Sequence, residues 1–261
     1  MAANYKTISE AGDEAPWLVL VHGMSQDHRV FSTQIDAFKD RYRLLLIDLP
    51  GHGLSTEIPG PFGHSELADQ ILGALHNAGV TQCHYWATHT GTALGLLLAA
   101  TDRARFNTMT FEGVVLPGHV MPSVDAEFQR TRDIAQNKSI DTARKHWFEK
   151  ARWFDVMRAR PTECRSTEHW EIVSSFSGAP WLYEGSAQAV APIDERLATL
   201  DLPILLYNGE HDLVDFVDAA KFLESRLPNV RRTTIPEAGG FPAWEFPSRV
   251  NDIVAEFLAE A

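Results

Sequence analysis

Tyr85-Trp86-Ala87-Thr88-His89-Thr90-Gly91-Thr92-Ala93-Leu94-Gly95-Leu96-Leu97-Leu98-Ala99-Ala100 is the stretch that decides the architecture of this chain. A short aromatic run stops at a group of small and hydroxyl residues, and an Ala- and Leu-rich run begins at once. This predicts a strand, a sharp turn and a buried helix with no loop between them. So tight a turn lifts one side chain clear of the sheet edge and aims the first N–H groups of the helix at the same spot. Two registers compete for the lifted residue. With His89 at the apex, Ala87 and Gly91 are the small flanking residues. With Thr90 at the apex, β-branched Thr stands at both flanks, where the turn wants minimal side chains. The sequence favours His89 and keeps Thr90 as the rival nucleophile.

Outward from this stretch, apolar runs alternate with helical spacing. Trp17-Leu18-Val19-Leu20-Val21 ends at His22-Gly23, and Arg43-Leu44-Leu45-Leu46-Ile47 ends at Asp48-Leu49-Pro50-Gly51-His52-Gly53-Leu54-Ser55. Continuous apolar runs of this length read as strands buried on both faces, as in parallel sheets. Further strands are predicted over 108–116 and 203–207 and near 230–235. Helices are predicted over 31–38, 64–79, 215–226 and 248–259. The alternation predicts an α/β fold, a mainly parallel sheet with helices on both faces. In such sheets functional groups collect beyond the carboxyl ends of the strands.

Residues 117–202 break the alternation. They are helical in pattern and rich in aromatics: Phe128, Trp147, Phe148, Trp153, Phe154, Trp170, Phe176, Trp181 and Tyr183. An insertion between two sheet strands leaves and re-enters at the carboxyl edge, so it is expected to sit over that edge as a helical cap. The core then comprises 1–116 and 203–261. Most of the aromatics serve to pack the cap on the sheet, and a few are expected to line an apolar pocket. Charge separates the two parts as well. The segment 117–200 carries 11 Lys and Arg against 12 Asp and Glu, so most of the net charge of −12 lies outside it.

That net charge disfavours nucleic acid and anionic membrane as partners, and the pocket expected under the cap suits a small molecule. With 261 residues the chain is long enough for one full core with an insertion. No apolar run reaches the roughly 18 residues of a membrane span, and the first residues lack a signal-peptide pattern. Only Cys83 and Cys164 are present, so a disulfide framework is not expected and a cytoplasmic setting is.

Taken in order, the motifs resemble an α/β-hydrolase: His22-Gly23 after the first strand, Asp48 to Ser55 after the second and the elbow at 87–91 after the third. Asn208-Gly209-Glu210-His211-Asp212 follows a late strand, and the loop from Ala238-Gly239-Gly240 to Glu245-Phe246-Pro247 closes the series. The resemblance spans 17–116 and 203–259, with 117–200 where that family inserts its cap. It implies a nucleophile on the elbow, an acid after a late strand and a His on the last loop. It also implies an oxyanion hole from the backbone N–H groups of Met24 and Thr90. Asp212 fills the usual acid position, with a surface helix cap as its bland alternative. Glu112 fills a rarer acid position and reads more simply as a solvated loop carboxylate.

Two positions depart from the resemblance. His89 replaces the usual Ser, and Gly240 stands where the last-loop His belongs, with no His anywhere after His211. An absent side chain at Gly240 is expected to leave room beside Asp212, so that His89 reaches this carboxylate directly or through water. Such a dyad facing the oxyanion hole suits hydrolysis by activated water at an ester, lactone or related bond. Proton abstraction by a lyase, isomerase or cofactor-free oxygenase is the alternative, and a ligand-binding protein that has lost catalysis is the other class. The run Asp27-His28-Arg29-Val30 resembles the same region of the cofactor-free quinolone-ring dioxygenases, although their last-loop His is absent. His22, His28, Trp147, Trp153, Trp181 and Phe241 are candidates to bind substrate. His119 and His211 are expected at the surface. No His, Cys, Asp and Glu spacing resembles a zinc motif, and Gly51-His52-Gly53 lacks the rest of a dinucleotide fingerprint. Neither a metal nor a cofactor is implied.

Overall fold

Seven strands form one sheet in the order β1-β3-β2-β4-β5-β6-β7. The computed structural model describes residues 2–260. The strands are β1 (Tyr5–Ile8), β2 (Trp17–Val21), β3 (Arg43–Ile47), β4 (Cys83–Thr88), β5 (Phe106–Glu112), β6 (Ile204–Gly209) and β7 (Val230–Ile235). All neighbours are parallel except β1, which runs antiparallel to β3. The apolar runs that predict β2 and β3 are buried over four of five residues. A parallel strand in the middle of a sheet is covered on both faces, so its sequence has no polar alternation to show.

The edge strand β1 is absent from the sequence reading. Its four residues, Tyr-Lys-Thr-Ile, are half-buried or exposed, so they carry no hydrophobic signature. It is held by pairing with β3 and by two bonds beside it, Asn4 N–H to the Ser55 hydroxyl at 2.8 Å and Asp48 N–H to the Asn4 carbonyl at 3.0 Å. The strand predicted over 108–116 is shifted to 106–112, because Gly113 turns the chain with φ +60°.

The helices are α1 (Ser32–Phe38), α2 (His64–Asn77), α3 (Thr90–Thr101), α4 (Pro122–Asn137), α5 (Ile140–Lys150), α6 (Asp155–Ala159), α7 (Ser166–Ser175), α8 (Ala179–Leu182), α9 (Asp194–Leu197), α10 (Val214–Glu224), α11 (Pro242–Glu245) and α12 (Pro247–Ala259). In the core, α1 packs on α12 and α2 on α3, covering the two faces of the sheet. The helix α3 is buried nearly all round, as its lack of a polar stripe requires. Among the described residues, no helix is long and apolar enough to cross a membrane.

Between β5 and β6 the chain runs through six helices, α4 to α9. Trp147 packs on Trp153 and Trp181 at ring distances of 4.8 and 5.3 Å, and Phe176 on Trp181 at 4.8 Å. The insertion meets the core through Phe154 stacked on Phe241 at 4.8 Å and Phe176 stacked on His52 at 4.4 Å. Arg165 lies 3.9 Å over the ring of Trp244, whose indole N–H donates to the Cys164 carbonyl at 2.7 Å. These contacts join the insertion to the segments that follow β3 and β7.

Candidate active site

His89 is the residue between β4 and α3, and it alone at this turn holds a left-handed backbone, φ 46° with ψ −115°. Thr90 is already the first residue of α3. A non-glycine residue in this region stores on the order of 1–3 kcal/mol of strain. The surroundings enforce it: His89 N–H donates to the Glu112 carbonyl at 2.9 Å, and Thr92 donates both its N–H and its hydroxyl to the His89 carbonyl, at 2.8 and 2.7 Å. Small flanking residues are required here. A Cβ on Gly91 would lie 2.6 Å from the Val21 carbonyl and 3.1 Å from the Ala87 Cβ, and one on Gly23 would lie 2.8 Å from the His89 Cβ.

The close approach at Gly23 brings the loop after β2 against the elbow. Met24 and Thr90 consequently line one cavity with His89, and neither N–H donates to another group among the described residues. Gln26 braces the loop. Its carbonyl oxygen accepts from Gly23 N–H at 3.2 Å, and its amide nitrogen lies 3.3 Å from Nε2 of His169 on α7. His169 is fully buried and escaped the sequence reading, since nothing in α7 sets it apart locally.

The His89 ring packs at 4.9 Å on Phe216 and 4.8 Å on Phe241, and its Nε2 is sealed from solvent without a hydrogen-bond partner. That edge of the ring rests against Gly113, where a Cβ would come within 2.7 Å of Nε2. Burial pushes the His89 pKa down to about 4, against a backbone hydrogen bond with Gly240 that works the other way, so the imidazole is neutral at pH 7.

The direct form of the expected dyad is not present. Among the described residues, no carboxylate oxygen comes within 4.0 Å of a His89 nitrogen. Asp212 turns to its own chain instead, accepting from Asn208 Nδ2 and Leu213 N–H at 2.8 Å each. Glu112 is not a solvated loop carboxylate either. It is 1% exposed and accepts from Ala243 N–H at 2.7 Å. Nor does Gly240 leave room beside Asp212. A Cβ there would sit 2.6 Å from the Trp153 Cβ and 2.7 Å from the Trp153 carbonyl oxygen. The insertion fills the corner that a last-loop His would need.

Three carboxyls lie in this region without a paired cation, and burial raises each: Glu112 to about 8, Asp212 to about 7 and Glu245 to about 7. Glu245 supports the last loop by accepting from Gly239 N–H at 2.5 Å.

The cavity holds about 270 Å³ between core and insertion, near the small end of ligand sites. Trp147, Trp153 and Phe241 line it as the sequence suggests. Three other candidates do not. His22 is fully buried, accepting from Leu49 N–H at 3.0 Å through Nε2, and so holds the glycine-rich loop. His28 turns away to Asp48, at 2.8 Å. Trp181 is buried within the insertion. His119, expected at the surface, lines the cavity and pairs with Asp194 at 2.7 Å, while His211 is exposed. His64, at the start of α2, and Asp125, on α4, also line it and were missed. Both look like ordinary surface residues in sequence. Asp27, His28 and Asp48 offer ligand atoms within 4.8 Å of one another, but Arg29, the His28 and Leu54 N–H groups and His28 itself already use these carboxylates.

The profile of the alpha/beta hydrolase fold family matches residues 16–247. Similar proteins include 3-oxoadipate enol-lactonase 2 of Acinetobacter baylyi, 24% identical over 85% of this chain and 80% of the relative. The putative carbamate hydrolase RutD of a Caulobacter species is 25% identical over 93% and 90%. Among solved structures, MenH from S. aureus superposes with a TM-score of 0.85 at 20% identity, covering 100% of this chain and 99% of that one. The enol-lactonase of Burkholderia xenovorans LB400 does so with 0.82 at 20% identity, covering 98% and 96%.

Proposed function

Because this chain belongs to the α/β-hydrolase fold family, we propose that it is an enzyme that hydrolyses activated ester or lactone bonds in a small, largely apolar molecule, with residues 117–202 as its cap. The strained elbow carries this reading. It brings the imidazole of His89 and the N–H groups of Thr90 and Met24 to the lining of one largely apolar cavity. Strain of this kind persists only where the surrounding structure over-determines it, and it clusters at active sites and ligand clamps. Backbone donors so placed polarise a carbonyl and hold the oxyanion that forms on attack.

In this reading a water attacks the acyl carbon while neutral His89 takes its proton. The tetrahedral oxyanion then collapses, the acyl–oxygen bond breaks, and the leaving group departs as an anion that regains a proton from the imidazolium or from solvent. An imidazole with a pKa of about 4 and no carboxylate beside it is a weak base, and no second His at position 240 protonates the leaving group. The site therefore suits bonds whose leaving group is already stable as an anion, such as enols and phenols. Two of the similar proteins are named enol-lactonases, and an enol lactone is a bond of this type.

One observation favours a second reading, a ligand-binding protein: His89 Nε2 is sealed against Gly113 with no partner. A panel of enol esters, enol lactones and simple alkyl esters, with native protein and His89→Ala, separates the two. The enzyme reading expects turnover of the enol compounds only, lowered by about 10²–10⁴ in His89→Ala. Turnover unchanged in His89→Ala removes the base role. Tight binding of apolar ligands with no turnover at all establishes the binding protein.

A further inference from the structure

Besides His89, Thr90 and the Trp147 indole N–H, which is buried without a partner, the polar side chains that line the cavity are His64, His119 and Asp125. His64 opens α2 in the core and Asp125 is in the first turn of α4, so the pair straddles the seam between core and insertion. The imidazole of His64 is half-buried and makes no hydrogen bond to a described residue. The Asp125 charge is close enough to act on it, partly offsetting the effect of burial. One carboxylate oxygen of Asp125 accepts from Met121 N–H at 2.9 Å, and the other, on a side chain at the exposed rim of the cavity, has no partner among the described residues. His119 is committed to Asp194. The lining contains neither Lys nor Arg.

We propose that the cavity takes a molecule whose far end carries a hydrogen-bond donor, a hydroxyl or an amine, received by Asp125 and His64, and that it discriminates against molecules ending in a carboxylate. The chemistry follows from the inventory. A free carboxylate oxygen is an acceptor only, and a neutral imidazole offers one acceptor and one donor. A ligand hydroxyl satisfies both groups. A ligand carboxylate would meet Asp125 with no cation in the wall to offset the repulsion. The rest of the molecule is largely apolar, since Leu67, Val124, Phe128 and Phe216 are among the other residues that line the cavity. The inference rests on the cavity being the substrate site of the reading above, but it concerns recognition and stands apart from the reaction.

The test uses six-carbon vinyl esters that differ only at the far end: hexanoate, 6-hydroxyhexanoate, 6-aminohexanoate and the mono-ester of adipate. The matching amides, which do not turn over, are measured by quenching of tryptophan fluorescence. Native protein is expected to prefer the hydroxyl and amine compounds over the carboxylate by at least about tenfold, in kcat/KM and in Kd. Asp125→Asn keeps an oxygen to accept from Met121 N–H, and it is expected to bring the carboxylate compound within about threefold of the hydroxyl one. His64→Phe is expected to weaken the hydroxyl compound by more than it changes the hexanoate compound, since only the first loses a hydrogen-bond partner. If the amides follow this order while no ester is hydrolysed, the recognition stands and the hydrolase reading falls. A carboxylate bound as well as the hydroxyl, a preference unmoved by Asp125→Asn, or no binding by any member overturns the proposal.

Discussion

Gly240 and Trp153 are in direct backbone contact: Gly240 N–H donates to the Trp153 carbonyl at 3.3 Å, and a Cβ at 240 would come within 2.7 Å of that oxygen. The last loop and the insertion thus meet at the one position where a hydrolase of the usual kind would carry its His. The Trp153 backbone occupies the space that a side chain at 240 would need, so the packing itself requires Gly at this position.

Substituting Gly240 is therefore expected to destabilise without creating a triad. Gly240→Ala forces Trp153 to move and is expected to lower unfolding free energy by about 1–3 kcal/mol in urea titrations, the range for overpacking. Gly240→His should cost more and leave hydrolysis of enol esters no faster than in the native protein. A rate gain of tenfold or more from Gly240→His would show that the corner opens in solution.

Gly113 is expected to be as restrictive for a different reason. It combines φ +60° with contact to the His89 ring, so Gly113→Ala adds backbone strain and displaces the imidazole. The expected result is a loss of about 1–3 kcal/mol in stability together with kcat falling to the level of His89→Ala. Activity retained in a variant that folds would mean that the position of the ring is unimportant.

The pH dependence of stability has two opposing contributions. His89 has a folded pKa of about 4, below its unfolded value, so its contribution is full above about pH 6.5 and is lost as pH falls through 4. Glu112, Asp212 and Glu245 have raised folded values, from about 7 to about 8. Their contribution is full below about pH 4 and is lost as pH rises through 7 to 8. Glu112→Gln removes one such group and keeps an acceptor for Ala243 N–H. It is expected to gain about 2–4 kcal/mol relative to native protein between pH 5 and pH 8. Equal changes at the two pH values in chemical denaturation would contradict this. The same His89 value puts the acid limb of kcat near pH 4, because only the neutral imidazole accepts a proton.

Gln26 links the insertion to the loop after β2 through His169 on one side and Gly23 on the other. Gln26→Ala removes the brace on the Met24 N–H while touching no substrate. The expected signature is a roughly tenfold fall in kcat with KM nearly unchanged, since an oxyanion donor acts chiefly on the transition state. A rise in KM alone would assign Gln26 to the pocket wall instead.

Much of this molecule was legible in its amino-acid order. The apolar runs at 17–21, 43–47 and 203–207, the small residues Ala87 and Gly91 around His89, and the glycine-rich loops are local patterns. The forces behind them, strand burial and turn sterics, act over a few residues. Such patterns determine the parallel strands of the sheet and the elbow, but not the edge strand β1. They also determine that Ser is absent from the apex and His from the last loop.

Tertiary packing decided the rest. Whether His89 meets Asp212, whether Gly240 is open or closed, and which histidines face the cavity depend on segments far apart in the chain, such as Trp153 against Gly240 and His64 across from Asp125. The charge states of His89, Glu112 and Asp212 likewise follow from burial, and burial is a property of the assembled fold. A histidine at an elbow can be read from sequence, but its neighbours, and so its chemistry, are set by how the insertion closes over it.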